Sequence, residues 1–543
     1  MKKRVPRSLL LFLCFSLLFS QLLWTGAAPA QTTGKVQNVI LLIPDGMSVD
    51  GTTLARWYNG GTPLAMDEMA CGLVKTYSSD AAIADSAPAG SAFATGYKSH
   101  TGYVATLPEV ADMPGLDPIK DEDRNKPVAT ILEAAKLSGK ATGIISTSEI
   151  MHATPADFTS HSPSRKNYDD LSEQQVYNGI DVVLGAGWDF LEGTKRDDQT
   201  DLISVIKDKG YDYVTTPQEL QASMSDKIWG LFAPEALSYD MDRNPAEQPG
   251  LAQMTQKAIE VLSRDKDGFF LMVEGSKVDW AAHANDPVGI ISDILAFDQA
   301  VKVSLDFAKK NQNTVVISVT DHGNGGLTIG DTGTNSTYDK EPLSTFISPL
   351  KKATLTGEGL ESKLNGDRSN VVEVMSQYYG INDLTADEIQ AIKQAEAGSL
   401  NYTVGPMISK RAHLGWTTGG HTGEDVVLYE YAPNKVERLT GVIENTDVAK
   451  HMEEVMGLNL NNANKKLFVD ADAAFEQIGA TTELKDTGNN NLVLVVTKGE
   501  TTLELPVNTN IAKINGETVE LEGVIVHSSN RTFVPQAAVN LIQ

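Results

Sequence analysis

Cysteine is nearly missing from this chain: there are two in 543 residues. Cys14 lies in an N-terminal apolar run, and Cys71 stands well outside it. With that run removed, Cys71 has no partner, which excludes an intramolecular disulfide even in an oxidising compartment. Its expected role is a buried structural thiol. Long hydrophobic stretches are equally scarce. Leu9 to Leu23 is too short and wrongly flanked for a spanning helix, and no second run could cross a bilayer. Positive charge is the third shortage, with 45 Lys and Arg against 71 Asp and Glu and a net charge of −26. Such acidity argues against a nucleic-acid partner. It also repels anions at long range, so any anion-handling site must bring its own cations. Hydrophobic residues are ordinary at 41%, enough for a large core.

The N-terminus is set apart. Lys2, Lys3, Arg4 and Arg7 precede the apolar run, and Ala28-Pro29-Ala30 follows it. Basic region, apolar region and small-residue cleavage site together describe a secretory signal over residues 1–30, with cleavage near Ala30. The chain is therefore expected outside the cytoplasm: extracellular, cell-surface or periplasmic.

Apolar runs at Val39–Ile43, Ala141–Ile145, Asp181–Leu184, Gly268–Val273 and Thr314–Val319 look like buried parallel strands. Helical patterns lie between them at Val128–Leu137, Gly250–Ser263 and Ile290–Lys309. This alternation predicts an α/β fold with a doubly wound, mostly parallel sheet flanked by helices. From about 325 to 407 the pattern weakens, with helical stretches at Asn370–Tyr379 and Thr385–Ala395, which suggests an insertion that acts as a lid or an oligomer contact. Residues 459–466 are expected to be a polar linker. Beyond it, Leu467–Ile478 looks helical and five short strands follow, with Asn515-Gly516 as a hairpin turn. That predicts a small C-terminal α+β module over 467–543, after a main domain over 31–458.

Acidic and imidazole residues gather where these strands end. Asp45 follows the first strand, Glu274 closes the fourth, and Asp321-His322 follows the fifth. Carboxylates in those places point beyond the carboxyl edge of the sheet, where α/β enzymes keep their chemistry. Asp279 and His283, spaced i, i+4, share a helix face at roughly 6 Å, suitable for one ion. Alone, such a pair is usually an ordinary surface pair. His421 sits among glycines without core periodicity. Ser86 stands at a predicted helix start, where backbone N–H groups favour an anion. A serine there is most often a simple cap, but a metal would lower its hydroxyl pKa and make it a nucleophile. Arg165 can grip two phosphate oxygens with its planar fork, or be a plain surface arginine. Gly185-Ala186-Gly187 lacks the third glycine of a dinucleotide fingerprint and is set aside.

Taken in order, Val-Ile-Leu-Leu-Ile-Pro-Asp-Gly-Met, Asp-Ser-Ala-Pro-Ala-Gly-Ser-Ala, His-Ala-Thr-Pro-Ala, Ser-Arg-Lys, Val-Glu-Gly-Ser-Lys-Val-Asp-Trp-Ala-Ala-His, Thr-Asp-His-Gly and Gly-Gly-His-Thr-Gly resemble the bacterial alkaline phosphatases. They span about residues 36–432. The resemblance implies a zinc ion on Asp279, His283 and His421. It implies a second zinc on Asp321, His322 and Asp45, beside Ser86. It implies a third metal, normally magnesium, on Glu274, Thr154 and Asp45. Ser86 would attack a phosphate monoester, and the phosphoserine formed would then be hydrolysed while Arg165 holds the phosphoryl oxygens. His152 stands where some members carry Asp, so it is counted with the third site, where zinc could compete with magnesium. Trp280 stands where some carry Lys near the phosphate, so product should be held less tightly. The tail, through Ile-Asn-Gly-Glu-Thr-Val and Arg-Thr-Phe-Val-Pro-Gln-Ala-Ala, resembles the N-terminal module of copper amine oxidases. It has one histidine, His527, so it is expected to be non-catalytic, with no copper site. Expected partners are small phosphate monoesters, with a homodimer and a cell-envelope contact through the module as further expectations. A phosphodiesterase of the same superfamily is the alternative activity. A mutase is opposed by the secretory signal. A sulfatase is opposed because Pro163 falls one place early for its nucleophile motif. An inactive binding scaffold is opposed because every site position is filled.

Overall fold

The computed structural model describes residues 34–543; the secretory signal expected over 1–30 lies outside the described residues. The main sheet is built from β1 (Asn38–Ile43), β2 (Ala70–Lys75), β3 (Ala141–Glu149), β4 (Val182–Ala186), β5 (Asp212–Val214), β6 (Ile228–Leu231), β7 (Phe269–Glu274) and β8 (Thr314–Val319). Four two-residue strands follow: β9 (Gly323–Asn324), β10 (Thr328–Ile329), β11 (Leu414–Gly415) and β12 (His421–Thr422). Two more, β13 (Val426–Tyr431) and β14 (Gly441–Glu444), complete a ten-stranded sheet ordered β14-β2-β13-β8-β1-β7-β3-β4-β6-β5. Within it only β13 runs against its neighbours β8 and β2; the other pairings are parallel.

Both faces of the central strands are covered, so β1, β4, β7 and β8 are buried along their whole length and carry near-continuous apolar runs. On β1, Ile40 and Leu42 enter one core while Val39, Leu41 and Ile43 enter the other. β7 divides likewise, with Phe269, Leu271 and Val273 on one side and Phe270 and Met272 on the other. Cys71, on β2, is half-buried rather than fully buried, and its Sγ lies 3.5 Å from the Leu428 carbonyl. Burial pushes its thiol up to about 11, which leaves it protonated and unreactive at neutral pH.

The weakly patterned stretch after β10 is helical. Helices Leu343–Leu350, Gly357–Glu361, Val371–Tyr379, Ala386–Gln394 and Leu400–Arg411 fill it. Ile347, Leu360, Val374, Tyr379, Val404 and Ile408 join the same core as Ile40 and Leu42. The insertion is thus continuous with the domain interior.

The expected linker is also a helix, Leu460–Leu467. Its polar residues mislead because they occupy one face. Leu460, Ala463 and Leu467 occupy the other and are buried, and the Asn459 side chain caps the start by accepting from the Asn462 N–H at 2.7 Å. The predicted helix at 467–478 is shorter, Ala471–Gln477, after a two-residue strand at Val469–Asp470. A five-stranded antiparallel sheet then forms from segments between Thr481 and Glu520. Asn515 and Gly516 turn its last hairpin with φ of 48° and 91°, as a two-residue turn with both residues left-handed requires. The module has its own core around Phe475, Leu494, Leu503 and Val534. Yet Phe468, Val524, Val526 and Phe533 pack into the core that lines one face of the main sheet.

Candidate active site

Three adjacent parallel strands, β8, β1 and β7, end side by side and set the site's floor. Asp321, Asp45 and Glu274 leave their carboxyl edge, all fully buried. Just past Asp45 the chain turns through Gly46 at φ +67°. A Cβ there would lie 2.5 Å from Asp279 Oδ1, so only glycine lets this loop approach the carboxylate. Asp279 and His283 come from helix Lys277–His283, which starts right after β7. His421 arrives on β12, held by antiparallel pairing with β9 next to Asp321-His322.

The three imidazoles are oriented alike. Nδ1 of His283 is 2.8 Å from the Gly419 carbonyl, Nδ1 of His421 is 2.8 Å from that of Ala84, and Nδ1 of His322 is 3.2 Å from that of Gly323. Each Nδ1–H donates outward, so each Nε2 faces the site and offers its lone pair to a cation that displaces any proton there. Nε2 of His283 and of His421 lie 3.1 Å apart, and Asp279 oxygens lie 3.4 and 3.7 Å from them. His322 Nε2 lies 3.1 Å from Asp321 Oδ2, 3.5 Å from Asp45 Oδ1 and 3.1 Å from Ser86 Oγ. Two groups of ligand atoms result: Asp279, His283 and His421, and beside them Asp45, Asp279 and His322. Asp279 belongs to both, a sharing that the sequence reading had not included.

Burial without cations is costly for this set. Burial, with Asp321 and the other carboxylates nearby, holds Asp45 well above the usual carboxylate range. Burial lifts Glu274 to about 8 against hydrogen bonds from Ser146 and Ser276. Burial also opposes charge on Asp279, but His283 and the neighbouring imidazoles outweigh it and hold it low. For His322, burial is outweighed by Asp321 and Asp279, which keep it near 9. Both oxygens of Asp45, Glu274 Oε1, Asp321 Oδ2 and Thr154 Oγ1 are buried with no hydrogen-bond partner. Oxygen and imidazole donors this buried and this unsatisfied fit divalent cations.

Ser86 is the first residue of helix Ser86–Thr95, follows Asp85, whose carboxylate turns to Arg165 rather than to the helix start, and is almost wholly buried. Every residue of that helix is buried, which explains its run of Ala, Gly and Ser. Arg165 reaches the same region from a different loop. Its Nη1 donates to Asp85 and its Nη2 lies 2.9 Å from His152 Nε2. Asp85 and Asp45 reinforce the guanidinium's charge against burial.

His152, counted with the third site in the sequence reading, turns its Nε2 toward Arg165, and its Nδ1 is buried with no hydrogen-bond partner. Burial and the Arg165 charge both keep this imidazole neutral. Trp280 brings no cation itself, but Lys277 Nζ lies 4.3 Å from its ring centroid. The sequence reading also missed three supports. Ser146 Oγ donates to Glu274 Oε2 at 2.6 Å, across the β3–β7 pairing. Ser276 Oγ lies 3.0 Å from Ser146 Oγ, and Asn324 Nδ2 donates to Asp279 Oδ1 at 2.6 Å. Of the three, only Ser276 stands near its carboxylate in the sequence; Ser146 and Asn324 meet theirs only through the fold.

Paired cation sites around a buried serine suit one broad class, the metal-dependent hydrolases of phosphate esters. Comparison with known proteins narrows it. The sequence profile of the alkaline phosphatase family matches residues 36–458, and that of the copper amine oxidase N-terminal domain matches 453–541. Alkaline phosphatase 3 of Bacillus subtilis is 36% identical over 86% of this chain and 99% of its own. The repressible alkaline phosphatase of Saccharomyces cerevisiae is 32% identical over 79% of this chain and 82% of its own. Among solved structures, Thermus thermophilus alkaline phosphatase superposes with a TM-score of 0.70 at 28% identity, covering 80% of this chain and 94% of that one. The chain belongs to the alkaline phosphatase family, and it is a metal-dependent enzyme that hydrolyses phosphate monoesters.

Proposed function

We propose that Ser86 is the nucleophile and that Arg165 holds the phosphoryl group. The carrying observation is Ser86 Oγ at a helix start, 3.1 Å from an imidazole that faces Asp45 and Asp321. Asp279, His283 and His421 would hold one zinc, and Asp45, Asp321 and His322 a second, with Asp279 close to both. Glu274, Thr154 and Asp45, all hard oxygens, would hold magnesium. When bound, these ions supply Lewis acidity at the attacking and leaving oxygens.

The chain's own part is positional. The helix start directs backbone N–H groups at the phosphoryl oxygens. Arg165 is pre-set by Asp85 and His152, so its fork need not be ordered as the phosphate binds. Ser86 Oγ forms the bond to phosphorus as the alcohol departs in line, and water then releases phosphate from Ser86. His152 pairs with Arg165 through Nε2 here, and its buried Nδ1 has no partner, so metal analysis decides whether zinc enters the third site.

The leader supports secretion, and no helix among the described residues is long and apolar enough to cross a membrane. A homodimer and an envelope contact through the tail remain part of this proposal. Elemental analysis of purified enzyme should find about two zinc ions and one magnesium ion per chain. Prolonged EDTA should abolish p-nitrophenyl phosphate hydrolysis, and zinc with magnesium should restore it. Full activity in demetallated enzyme would contradict the assignment.

A further inference from the structure

A continuous side-chain contact path joins the helical insertion to the phosphate clamp. Glu358 lies in the short insertion helix Gly357–Glu361. The start of that helix is fastened to the main domain: Asp242 accepts from the Thr356 hydroxyl and from the Gly359 N–H. Glu358 Oε2 accepts from Lys277 Nζ at 3.2 Å. The Lys277 side chain is 3% exposed, against 40% for Glu358, so the contact ties a buried cation to a surface carboxylate. The ammonium also sits 4.3 Å from the Trp280 ring centroid and 4.6 Å from that of Tyr239. Trp280 meets the His152 ring edge-on, with centroids 6.2 Å apart and planes at 73°. His152 Nε2 receives Arg165 Nη2 at 2.9 Å.

Each contact constrains the next. A buried ammonium needs a counter-charge, and Glu358 is one. Held there, it offers its charge to the indole face, 4.3 Å from the ring centroid. The fixed indole limits rotation of His152, and His152 fixes one of the two Arg165 nitrogens a phosphate would use. Lys277 and Glu358 touch no candidate metal ligand through these contacts. We propose that Glu358, Lys277 and Trp280 act as positioning residues for Arg165, so that the insertion sets how tightly phosphate is held. This rests on Arg165 being the phosphate clamp.

The test uses full-length, metal-replete enzyme, with p-nitrophenyl phosphate as substrate and inorganic phosphate as competitive inhibitor. Glu358→Gln and Lys277→Met should each raise phosphate Ki and KM by about fivefold. kcat should hold or rise, because product release is not slowed. Lys277→Arg, which keeps both the charge and the ring contact, should stay within about twofold of wild type. Placed on Arg165→Ala, Lys277→Met should change Ki by less than about twofold, because the clamp it positions is gone. Glu358 is exposed enough that Glu358→Gln should fold normally. An unchanged Ki in Glu358→Gln and Lys277→Met overturns the proposal, as does an equal Ki change with and without Arg165. If Arg165→Ala alone leaves Ki unchanged, the clamp assignment fails first and takes this inference with it.

Discussion

His283, His322 and His421 show how single residues are prepared here. Each is turned by a backbone carbonyl at Nδ1, so that Nε2 faces inward. The ligand residue types could be read in the sequence because carboxylates and imidazoles interrupted apolar strand ends. Their directions could not. His152 matches a family position, and its Nε2 faces Arg165 of the Ser-Arg-Lys motif 13 residues further on, a contact that neither motif shows by itself. Asn324 was hidden for a similar reason: its partner Asp279 lies 45 residues away. Asn324→Ala should weaken the metal site that uses Asp279 by about 10- to 100-fold, the usual cost of losing an outer hydrogen bond to a ligand. Zinc retention against a competing chelator measures this, and excess zinc should recover much of the activity. Unaltered retention would show that Asn324 supports only the loop.

Among elements, the buried parallel strands were the most legible, since their continuous apolar runs have no other good use. Two insertion helices, expected at Asn370–Tyr379 and Thr385–Ala395, are found at Val371–Tyr379 and Ala386–Gln394, whereas β13 and the other insertion helices are not legible in the sequence. β13 alternates little, and the insertion's apolar residues are spread through short helices, two of them containing an internal proline. The helix Leu460–Leu467 reads as a linker because Asn and Lys dominate its composition, while three buried residues define its face. Leu467 packs closely against Gly523, where a Cβ would lie 2.5 Å from Leu467 Cδ2. Leu467→Ala should therefore cost about 2–5 kcal/mol. The expected result is a Tm several degrees lower with kcat near wild type at 25 °C. An unchanged Tm would mean that this helix is only a connector after all.

At the scale of the whole molecule, the C-terminal module shares a core with the catalytic domain and is also hydrogen-bonded to it. Asn508 donates to Asp170 Oδ1 at 2.8 Å and accepts from Gln174 Nε2 at 3.0 Å; Ser528 Oγ donates to the Asn125 carbonyl. The same junction buries Glu173, whose carboxyl is lifted to about 8 by burial and by nearby Asp198. A raised folded-state value means that the folded chain keeps a proton that the unfolded chain has lost. Stability from this group is complete below the ordinary glutamate range and falls as pH rises to about 8, by up to about 1.4 kcal/mol per pH unit. The Tm advantage of Glu173→Gln over wild type should therefore grow from pH 5 to pH 8 and then level off. A constant or shrinking difference would contradict the burial account.

The central claim is that Ser86, in a metal-filled site, carries the phosphoryl group between substrate and water. Metal-replete enzyme can be mixed with radiolabelled inorganic phosphate or a monoester at mildly acidic pH, quenched in acid and digested. The account predicts label on the peptide holding Ser86, lost in Ser86→Ala and in EDTA-treated enzyme. Label on another residue, such as His322, or full turnover by Ser86→Ala, would contradict it.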